Sequence, residues 1–392
     1  MRKLVLPPPA IAFIAGGGRD VDSTRVGADV VAGEHVTLVD DGGNEVGLAI
    51  ADPENLKLRV MATLADGFPK IDGALLAWRV ERALAWRKQL QLPGRDAGST
   101  SAYRLIHGAG DALPGFACDV LGRTAVVYAY GEGLRAVGRQ LAEAIVGFAK
   151  LDGAVVKLRA RGGADEVAQD IVGTPPDERV VVTEHGVPFE VHPLGGLNHG
   201  LFTDMREQRR GLTRFAAGKR VLNLFSYTGA LSVTCARAGA ATVTSVDTSA
   251  GVQAWAQSNF GRSGFAQDAR WRFDVGDAIR FLQRAAKDKE RYDLVLIDPP
   301  SSSSAGGRSW ALGRDYPELV AKAAAVIPTD GLLWLAANTH ELGSLAKLAH
   351  KGLRLANRSG AILEQAGLPP EYPTVLAQPA DRYLQIVLLR LA

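Results

Sequence analysis

From residue 219 to residue 300, short apolar runs alternate with segments of helical spacing, and each run ends in polar residues or glycine. The runs are KRVLNLFS (219–226), ATVTSVDTS (241–249), ARWRFDVGD (269–277) and YDLVLIDPP (292–300). Strands that alternate with helices form a parallel sheet that helices cover on both faces. Ligands bind at the carboxyl ends of such strands. The pattern therefore predicts an α/β domain with a binding site at the ends of these four strands.

The residues at these strand ends favour a nucleoside without a phosphate. Gly229 lies in the first turn, FSYTGA, which lacks the GxGxxG pattern of dinucleotide sites. Asp247 ends the second run, where a carboxylate can accept hydrogen bonds from both ribose hydroxyls. Asp277 and Ala278 follow the third run and suit an adenine amine and ring edge, and Asp298 follows the fourth. Together they predict S-adenosylmethionine, a cationic nucleoside without phosphate, although a single strand-end Asp can also simply cap a helix.

Composition excludes several other classes of protein. The chain has 392 residues, more than one core usually spans, so two or three domains are expected. Its two cysteines, Cys118 and Cys235, form no CxxC pair, so we predict neither a disulfide framework nor a metal site, and a cytoplasmic location fits. No apolar run is long enough to span a membrane. The net charge of +3 is compatible with a nucleic-acid partner without establishing one.

Changes in the pattern of apolar, polar and turn-forming residues divide the chain into four segments. Residues 1–75 alternate β-like runs with Gly, Asp and Pro, which predicts a small β-barrel that opens with a strand and a loop. Apolar residues at helical spacing predict a linking helix over 76–97, beginning within GALLAWRVERALAWRKQLQL (73–92). Residues 98–195 mix strands with one helix, as in an α+β domain, and 196–392 contain the α/β pattern.

Five motifs resemble one enzyme family. They are GLFTDMREQR (200–209), VLNLFSYTGALSV (221–233), VTSVDTS (243–249), GDAIRFL (276–282) and LIDPP (296–300). They resemble the ribosomal RNA large-subunit methyltransferase I family. The resemblance implies a PUA-like barrel, an α+β middle domain and a class I (Rossmann-like) methyltransferase domain with seven strands, the last antiparallel. It also implies S-adenosylmethionine as cofactor and RNA, chiefly 23S ribosomal RNA, as partner.

The resemblance also assigns site residues. Those implied to lie over the cofactor or beside its methionine end are Phe202, Asp204, Arg206, Arg209, Asn223, Phe225, Ser226 and Gly229. Asp247 would then hold the ribose and Asp277 the adenine, while Asp298 would face the target base.

One departure from the family concerns the chemistry. Members that make 5-methylcytosine attack C6 with a cysteine thiolate from the turn after the fifth strand, because C5 is not nucleophilic by itself. Here that turn reads LAANTHEL (335–342), with Ala337 and Asn338 in place of the thiol. We therefore expect direct transfer to an atom that is already nucleophilic, with Asp298 and Asn338 as the catalytic residues. The alternative is that Asn338 only caps the next helix.

Several interpretations stay open at this point. The chain could be a 5-methylcytosine methyltransferase, a small-molecule methyltransferase or a catalytically silent protein that binds S-adenosylmethionine or RNA, and a homodimer is compatible with its sequence. The serine-rich segment 301–310 is either a lid or a plain loop. Basic residues would grip RNA phosphates if they formed one face, and are otherwise ordinary surface charge. They are Lys157, Arg159, Arg161, Arg206, Arg209, Arg210, Arg214, Lys219 and Arg220.

Overall fold

A computed structural model describes the whole chain except residues 27–28, 97–98, 160–168, 266–267, 301, 304–309 and 341–342. The described residues form two units. The first consists of Met1–Gly186, Val191–His199 and Pro370–Asp381, and the second of Val187–Glu190, Gly200–Pro369 and Arg382–Ala392. Within these ranges, no helix combines the length and the apolar character needed to cross a membrane. The predicted domain boundaries, including those of a PUA-like barrel, stay predictions.

A five-stranded sheet begins the first unit. Its strands, in the order β1-β3-β4-β5-β2, are β1 (Arg2–Val5), β2 (Asp20–Asp22), β3 (His35–Val39), β4 (Glu45–Asp52) and β5 (Lys57–Thr63). The helix α1 (Pro8–Ala15) follows β1, where the sequence pattern predicts a loop. Proline is tolerated in the first helical turn, because the N–H that it lacks would have no partner there. Pro8 and Pro9 therefore begin this helix instead of preventing it.

A long helix leads to a second sheet in the same unit. The helix α2 (Gly73–Gln89) is capped by Asp72, whose side chain accepts hydrogen bonds from the N–H groups of Ala74 and Leu75. The second sheet has the order β10-β9-β8-β7-β6. Its elements are β6 (Ala102–His107), β7 (Phe116–Leu121), β8 (Thr124–Ala129), α3 (Arg135–Ala149), β9 (Gly153–Leu158) and β10 (Gln169–Gly173). Apolar residues of α2 and α3 pack with this sheet in one core.

Residues 370–381 come late in the chain but belong to the first unit. The guanidinium of Arg87, which is fully buried, donates a hydrogen bond to the carbonyl oxygen of Glu371 at 2.6 Å. The backbone N–H of Arg19 donates to the side-chain oxygen of Gln378, also at 2.6 Å. This late segment is therefore bound to both early parts of the unit.

Seven strands form the sheet of the second unit, in the order β15-β14-β13-β16-β19-β21-β20. The seven strands are β13 (Arg220–Leu224), β14 (Thr242–Asp247), β15 (Trp271–Val275), β16 (Leu294–Ile297), β19 (Leu332–Asn338), β20 (Gly360–Ala366) and β21 (Leu384–Leu391). Before them in the chain, β11 (Val180–Glu184) and β12 (Val187–Val191) form a separate two-stranded sheet. The short strands β17 (Ser302–Ser303) and β18 (Trp310–Ala311) pair with each other. Strands β13 to β16 and β19 are parallel, and β21 is antiparallel to β19. The predicted fold class and the antiparallel last strand are confirmed.

Helices cover this sheet on both faces. They are α4 (Arg206–Ala216), α5 (Ala230–Arg237), α6 (Ala250–Arg262), α7 (Ala278–Lys287), α8 (Leu312–Ala324) and α9 (Leu345–Leu355). Leu222 and Leu224 of β13 belong to the core that α7, α8 and α9 share. Because side chains alternate along a strand, Asn223 points to the opposite face, where its amide contacts Ser232 of α5.

Candidate active site

The carboxyl ends of the parallel strands bring most of the predicted site residues to one edge of the sheet. Leu224 of β13 pairs in register with Val246 of β14 and with Ile297 of β16, so the residues that follow begin at the same level. At β13 the strand order changes direction, which is the place where open parallel sheets bind ligands. Around it lie the predicted acids Asp247, Asp277 and Asp298.

The turn after β13 has an unusual backbone. Phe225, Tyr227 and Gly229 have φ angles of 57°, 47° and 76°, in the left-handed region that only glycine adopts readily. Asp247 stabilises this conformation, because its Oδ2 accepts a hydrogen bond from the Tyr227 N–H at 3.0 Å. A Cβ at position 229 would lie 2.9 Å from the Cβ of Ala256. Glycine is therefore required at position 229 both by the backbone conformation and by the close packing of α6, and the predicted approach of a ligand to this turn stays a prediction.

A buried polar network supports the turn from below. Asn223 is fully buried, and its Nδ2 donates to Ser232 Oγ at 2.9 Å, which in turn lies 2.7 Å from Ser245 Oγ. Gln253 Nε2 donates to Ser226 Oγ at 3.3 Å and to the carbonyl oxygen of Ser245 at 3.1 Å. Among the described residues, Asn223 Oδ1 and Gln253 Oε1 are buried and have no hydrogen-bond partner. These two acceptors are exceptions to the rule that buried polar atoms are paired.

Two acids lie on the side where adenosine is predicted to bind. Asp247 Oδ1 accepts a hydrogen bond from the Ser249 N–H at 3.1 Å, so each oxygen of this carboxylate accepts one backbone bond and can accept another. Asp277 Oδ1 caps α7 by accepting from the Arg280 N–H at 2.9 Å, and Ala278 is the buried first residue of that helix. Capping does not exclude a ligand contact, because the second carboxylate oxygen of Asp277 is left over. The ribose and adenine assignments stay predictions.

The segment before α4 lies beside the turn. The ring of Phe202, which is 41% exposed, has its centroid 5.3 Å from that of Tyr227. Arg209 is buried and donates to the carbonyl oxygen of Phe202 at 2.8 Å. Arg206 is buried too and forms an ion pair with Glu207 at 2.5 Å. These two arginines fix the position of the segment, and their direct contact with a cofactor stays a prediction.

Asp298 and Asp204 form an acidic pair at the end of β16. Burial and, to a smaller extent, the negative charge of Asp204 together raise the pKa of Asp298 to about 7, although Arg209 opposes both effects. Asp204 is buried, and its Oδ2 accepts a hydrogen bond from the hydroxyl of Tyr383 at 3.0 Å. Near neutral pH Asp298 can therefore either accept or give up a proton. The sequence gives no signal for Tyr383 or Gln253, because each joins the site from a distant part of the chain.

Asn338 is the last residue of β19 and is exposed. It pairs in register with Leu384 of β21. The next helix, α9, is capped by Ser344, whose hydroxyl accepts a hydrogen bond from the Lys347 N–H at 3.3 Å. The alternative that Asn338 serves as this cap is therefore wrong. Its role in catalysis stays a prediction.

Both cysteines of the chain are buried, and neither lies in a turn at the end of a parallel strand of the seven-stranded sheet. Cys118 lies inside β7, and Cys235 lies inside α5. Burial raises the pKa of both thiols, that of Cys235 to about 12. Neither is therefore a thiolate at neutral pH. In the described part of the chain, no three His, Cys, Asp or Glu side chains form a group that could hold a metal ion.

Three of the nine basic residues considered above are buried and cannot contribute to an exposed face. Lys157 is fully buried, its ammonium donates to two backbone carbonyl oxygens, and burial lowers its pKa to about 8. Arg206 and Arg209 are buried as well. Arg161 lies outside the described residues, as does most of the possible lid 301–310. An exposed face formed by the remaining basic residues stays a prediction.

The seven-stranded sheet with one antiparallel strand, and the glycine turn and acids at its edge, define a class I methyltransferase. The sequence supports the same conclusion as the fold, because a family model matches residues 104–390. The chain belongs to the family of S-adenosylmethionine-dependent methyltransferases.

Similar proteins agree with this assignment. A ribosomal RNA large subunit methyltransferase of Deinococcus radiodurans is 32% identical over 310 residues, which cover 77% of this chain and 75% of that protein. Ribosomal RNA large subunit methyltransferase I of Klebsiella pneumoniae is 27% identical over 360 residues, with 90% and 88% covered. A solved structure from Streptococcus mutans, described as a SAM-dependent methyltransferase, covers 100% of both chains with a TM-score of 0.87 and 24% identity.

Proposed function

We propose that this methyltransferase modifies a nucleotide of ribosomal RNA, in the 23S molecule. The proposal is supported by the names of the relatives from D. radiodurans and K. pneumoniae, whose matches extend over at least three quarters of each protein. Such coverage extends beyond the methyltransferase domain, so the likeness includes segments that a shared cofactor alone would not require. The homodimer stays a prediction.

The residues at the sheet edge fit S-adenosylmethionine. This cofactor supplies an electrophilic methyl group on a positively charged sulfur. Asp247 would accept hydrogen bonds from the ribose hydroxyls, while Asp277 and Ala278 would meet the adenine. Asn223, Phe225, Ser226 and Gly229 would lie at the methionine end, as the family resemblance implies.

Transfer proceeds directly to a nucleophilic atom of the base, without a cysteine adduct. The observation that carries this step is the burial of both thiols. Ala337 and Asn338 end β19, where the family resemblance implies the cysteine of 5-methylcytosine enzymes. Asn338 holds the base edge, and Asp298 holds or accepts the proton that the base releases. Catalysis then comes mainly from the orientation of the reacting groups.

A methylation assay tests the substrate. Ribosomal RNA from cells that lack the gene is incubated with the enzyme and labelled S-adenosylmethionine, and the nucleosides are identified by mass spectrometry. Label in one nucleotide of 23S RNA is the expected result, and it rejects the small-molecule and silent alternatives. Label in small molecules alone, or in no fraction, would contradict the proposal.

A trapping experiment tests the mechanism separately. RNA that contains 5-fluorocytidine captures enzymes that attack C6 with a thiolate, because the fluorine cannot leave as the C5 proton does. We expect no covalent complex in denaturing gels, and full activity in the double variant Cys118→Ala, Cys235→Ala relative to its folded fraction. A stable adduct, or 5-methylcytidine in the product, would show that the direct mechanism is wrong even if RNA is the substrate.

A further inference from the structure

A cleft of about 660 Å³ is lined only by residues of the first unit. Its size is in the range of sites for small ligands. One wall is α2, and the others come from the loop after α1, the turn after β5, the turn after β6 and the late segment 370–381. The lining side chains that matter here are Arg19, Asp66, Trp78, Arg79, Arg82 and Trp86.

The cleft carries more positive than negative charge. Arg79 Nη2 lies 2.7 Å from Oδ2 of Asp66, and Arg19 Nη1 lies 3.6 Å from the same oxygen. Arg82, which is exposed, adds a third cation. Asp111 also lines the cleft, but it is paired with the buried Arg87 and cannot neutralise this excess. Three guanidinium groups thus line the cleft, and Asp66 pairs with only two of them.

Two of these guanidinium groups have unused donors. Arg79 is only 4% exposed, and Arg79 Nε and Arg19 Nη1 are buried without a hydrogen-bond partner among the described residues. Burial lowers the pKa of both arginines, which reflects the free energy that their charge loses on leaving water. An anion at this place would regain part of that free energy through charge-assisted hydrogen bonds.

An indole ring is held beside these charges. Trp86 is 39% exposed, and its Nε1–H donates to the carbonyl oxygen of Pro370 at 3.0 Å, which fixes the orientation of the ring. The ring of Trp78 is already covered, because the guanidinium carbons of Arg79 and Arg82 lie 4.5 Å and 5.0 Å from its centroid. Trp86 therefore supplies the exposed aromatic surface of the cleft.

We propose that this cleft binds one unpaired nucleotide of the RNA substrate, with its base stacked on Trp86 and its phosphate beside Arg19 and Arg82. Aromatic and guanidinium planes are the surfaces on which proteins stack unpaired RNA bases. A base inside a duplex has both faces covered by its neighbours, so the site selects single-stranded RNA. This inference rests on the proposed function, since it assumes an RNA substrate.

The test compares three variants of the full chain. Arg82→Glu reverses the exposed charge in the cleft, and Trp86→Leu removes the ring while it keeps an apolar side chain. Lys88→Glu is the matched control, because Lys88 is exposed on the same helix and does not line the cleft. Affinity is measured by fluorescence anisotropy with a labelled single-stranded hexauridylate and with a labelled duplex of the same length, and S-adenosylmethionine binding is measured by calorimetry.

We expect Arg82→Glu and Trp86→Leu each to weaken hexauridylate binding about tenfold, the order of effect of one stacked base or phosphate contact. Arg82→Glu should also lower the salt dependence of binding by about one phosphate contact. Lys88→Glu should change affinity less than twofold, and all three variants should bind S-adenosylmethionine as the wild type does. Arg82→Lys, which retains the charge, should recover most of the affinity.

The possible failures can be told apart. Wild-type binding of both RNAs with no loss in either cleft variant overturns the cleft proposal and leaves the proposed function standing. Equal affinity of the wild type for duplex and single strand also overturns the cleft proposal. If the wild type binds and methylates no RNA at all, both proposals fail.

Discussion

The hydroxyl of Tyr383 donates a hydrogen bond to Asp204 Oδ2 over 3.0 Å, and it joins the residue that precedes β21 to the turn that precedes α4. The same Tyr383 accepts a backbone hydrogen bond from Thr339, next to the exposed end of β19. Tyr383 therefore links the two places where the base is proposed to lie, through its side chain at Asp204 and through its backbone carbonyl at Thr339.

Removal of this hydroxyl should slow methylation without preventing cofactor binding. Tyr383→Phe leaves Asp204 without that donor, and hydrogen bonds to charged groups contribute about 1.5–3 kcal/mol. We expect a rate at least about tenfold lower, with S-adenosylmethionine affinity within threefold. Tyr292→Phe is the control, because it also removes a hydroxyl bonded to a carboxylate, that of Glu290 at 2.5 Å, before β16 begins. A rate in Tyr383→Phe no lower than in this control would contradict the assignment.

Asp247 should be required for cofactor binding. Asp247→Asn keeps the size of the side chain but replaces one carboxylate oxygen with a donor, so it loses acceptors for the ribose. We expect S-adenosylmethionine affinity to fall by about 100-fold, which corresponds to about 3 kcal/mol, by isothermal calorimetry. Asp268→Asn, an exposed acid before β15 that pairs with Arg270, should leave the affinity unchanged. Unchanged binding in Asp247→Asn would remove the ribose assignment.

Gly229 should tolerate no side chain. Gly229→Ala combines a left-handed φ of 76° with a Cβ contact of 2.9 Å to Ala256, whereas Gly239 has a φ of 87° and nothing within 4 Å of a Cβ. Gly239→Ala should cost about 1–2 kcal/mol of unfolding free energy from backbone strain alone. Gly229→Ala should cost more and should also weaken cofactor binding, because relief of the contact shifts the turn. Urea unfolding and calorimetry measure the two effects, and equal stability of the two variants would refute the role given to Ala256.

The stability of the ligand-free protein should depend on pH through Asp298. The pKa of Asp298 is about 7 in the folded chain, far above the value near 3.9 of an unfolded Asp. Between these values the folded state binds the extra proton, so its contribution to stability is full below about pH 4 and is lost as pH rises through 7. The amide introduced by Asp298→Asn does not titrate, so the free energy of unfolding of this variant should not fall in this way. The difference between the variant and the wild type should therefore shift in favour of the variant between pH 5 and pH 8, by at most about 4 kcal/mol.

Asp293 is the control for this experiment because its shift has the opposite sign. A hydrogen bond from Arg220 lowers the pKa of Asp293. Its stabilising contribution is present above the pKa of the unfolded state and is lost as pH falls through the folded pKa. Asp293→Asn should thus be less stable than the wild type at pH 7, and the difference should shrink in acid. Parallel curves for Asp298→Asn and the wild type would contradict the raised pKa.

The two thiols should be unreactive while the chain is folded. Cys118 and Cys235 are both fully buried, and burial raises their pKa. A disulfide reagent such as Ellman's should label neither cysteine at pH 8 within the time that it labels both in 6 M guanidinium. Rapid labelling of one cysteine in the folded protein would reopen the thiolate mechanism.

The methyltransferase sheet could be predicted from the sequence because the ends of its parallel strands can be recognised from residue type. Each parallel strand is a short apolar run that stops at a polar residue, and Asp247 and Asp298 mark such ends. Local sequence patterns did not predict a strand whose side chains are exposed, or the burial of charged residues that pair with nearby groups. The side chains of β20 are mostly exposed, so it lacks the alternation of a buried strand. Arg206 and Arg209 look like surface charge but are buried as partners of nearby groups.

The relationships between distant residues could not be predicted. The cleft brings together Arg19, Arg82 and Pro373, which lie far apart in the sequence. Gln253 reaches the turn after β13 from inside a helix with no motif around it. Such contacts arise from packing of elements that are each ordinary in sequence, so only the folded chain reveals them.

The placement of residues 370–381 in the first unit has a consequence for synthesis. The ribosome releases the strands of the first two sheets early, but the carbonyl oxygen that Arg87 needs belongs to Glu371. While translation is still in progress, that buried guanidinium and the cleft beside Trp86 lack their last wall. The nascent amino-terminal half must therefore wait in an incompletely packed state, exposed to chaperones and proteases, until nearly all of the following half has emerged.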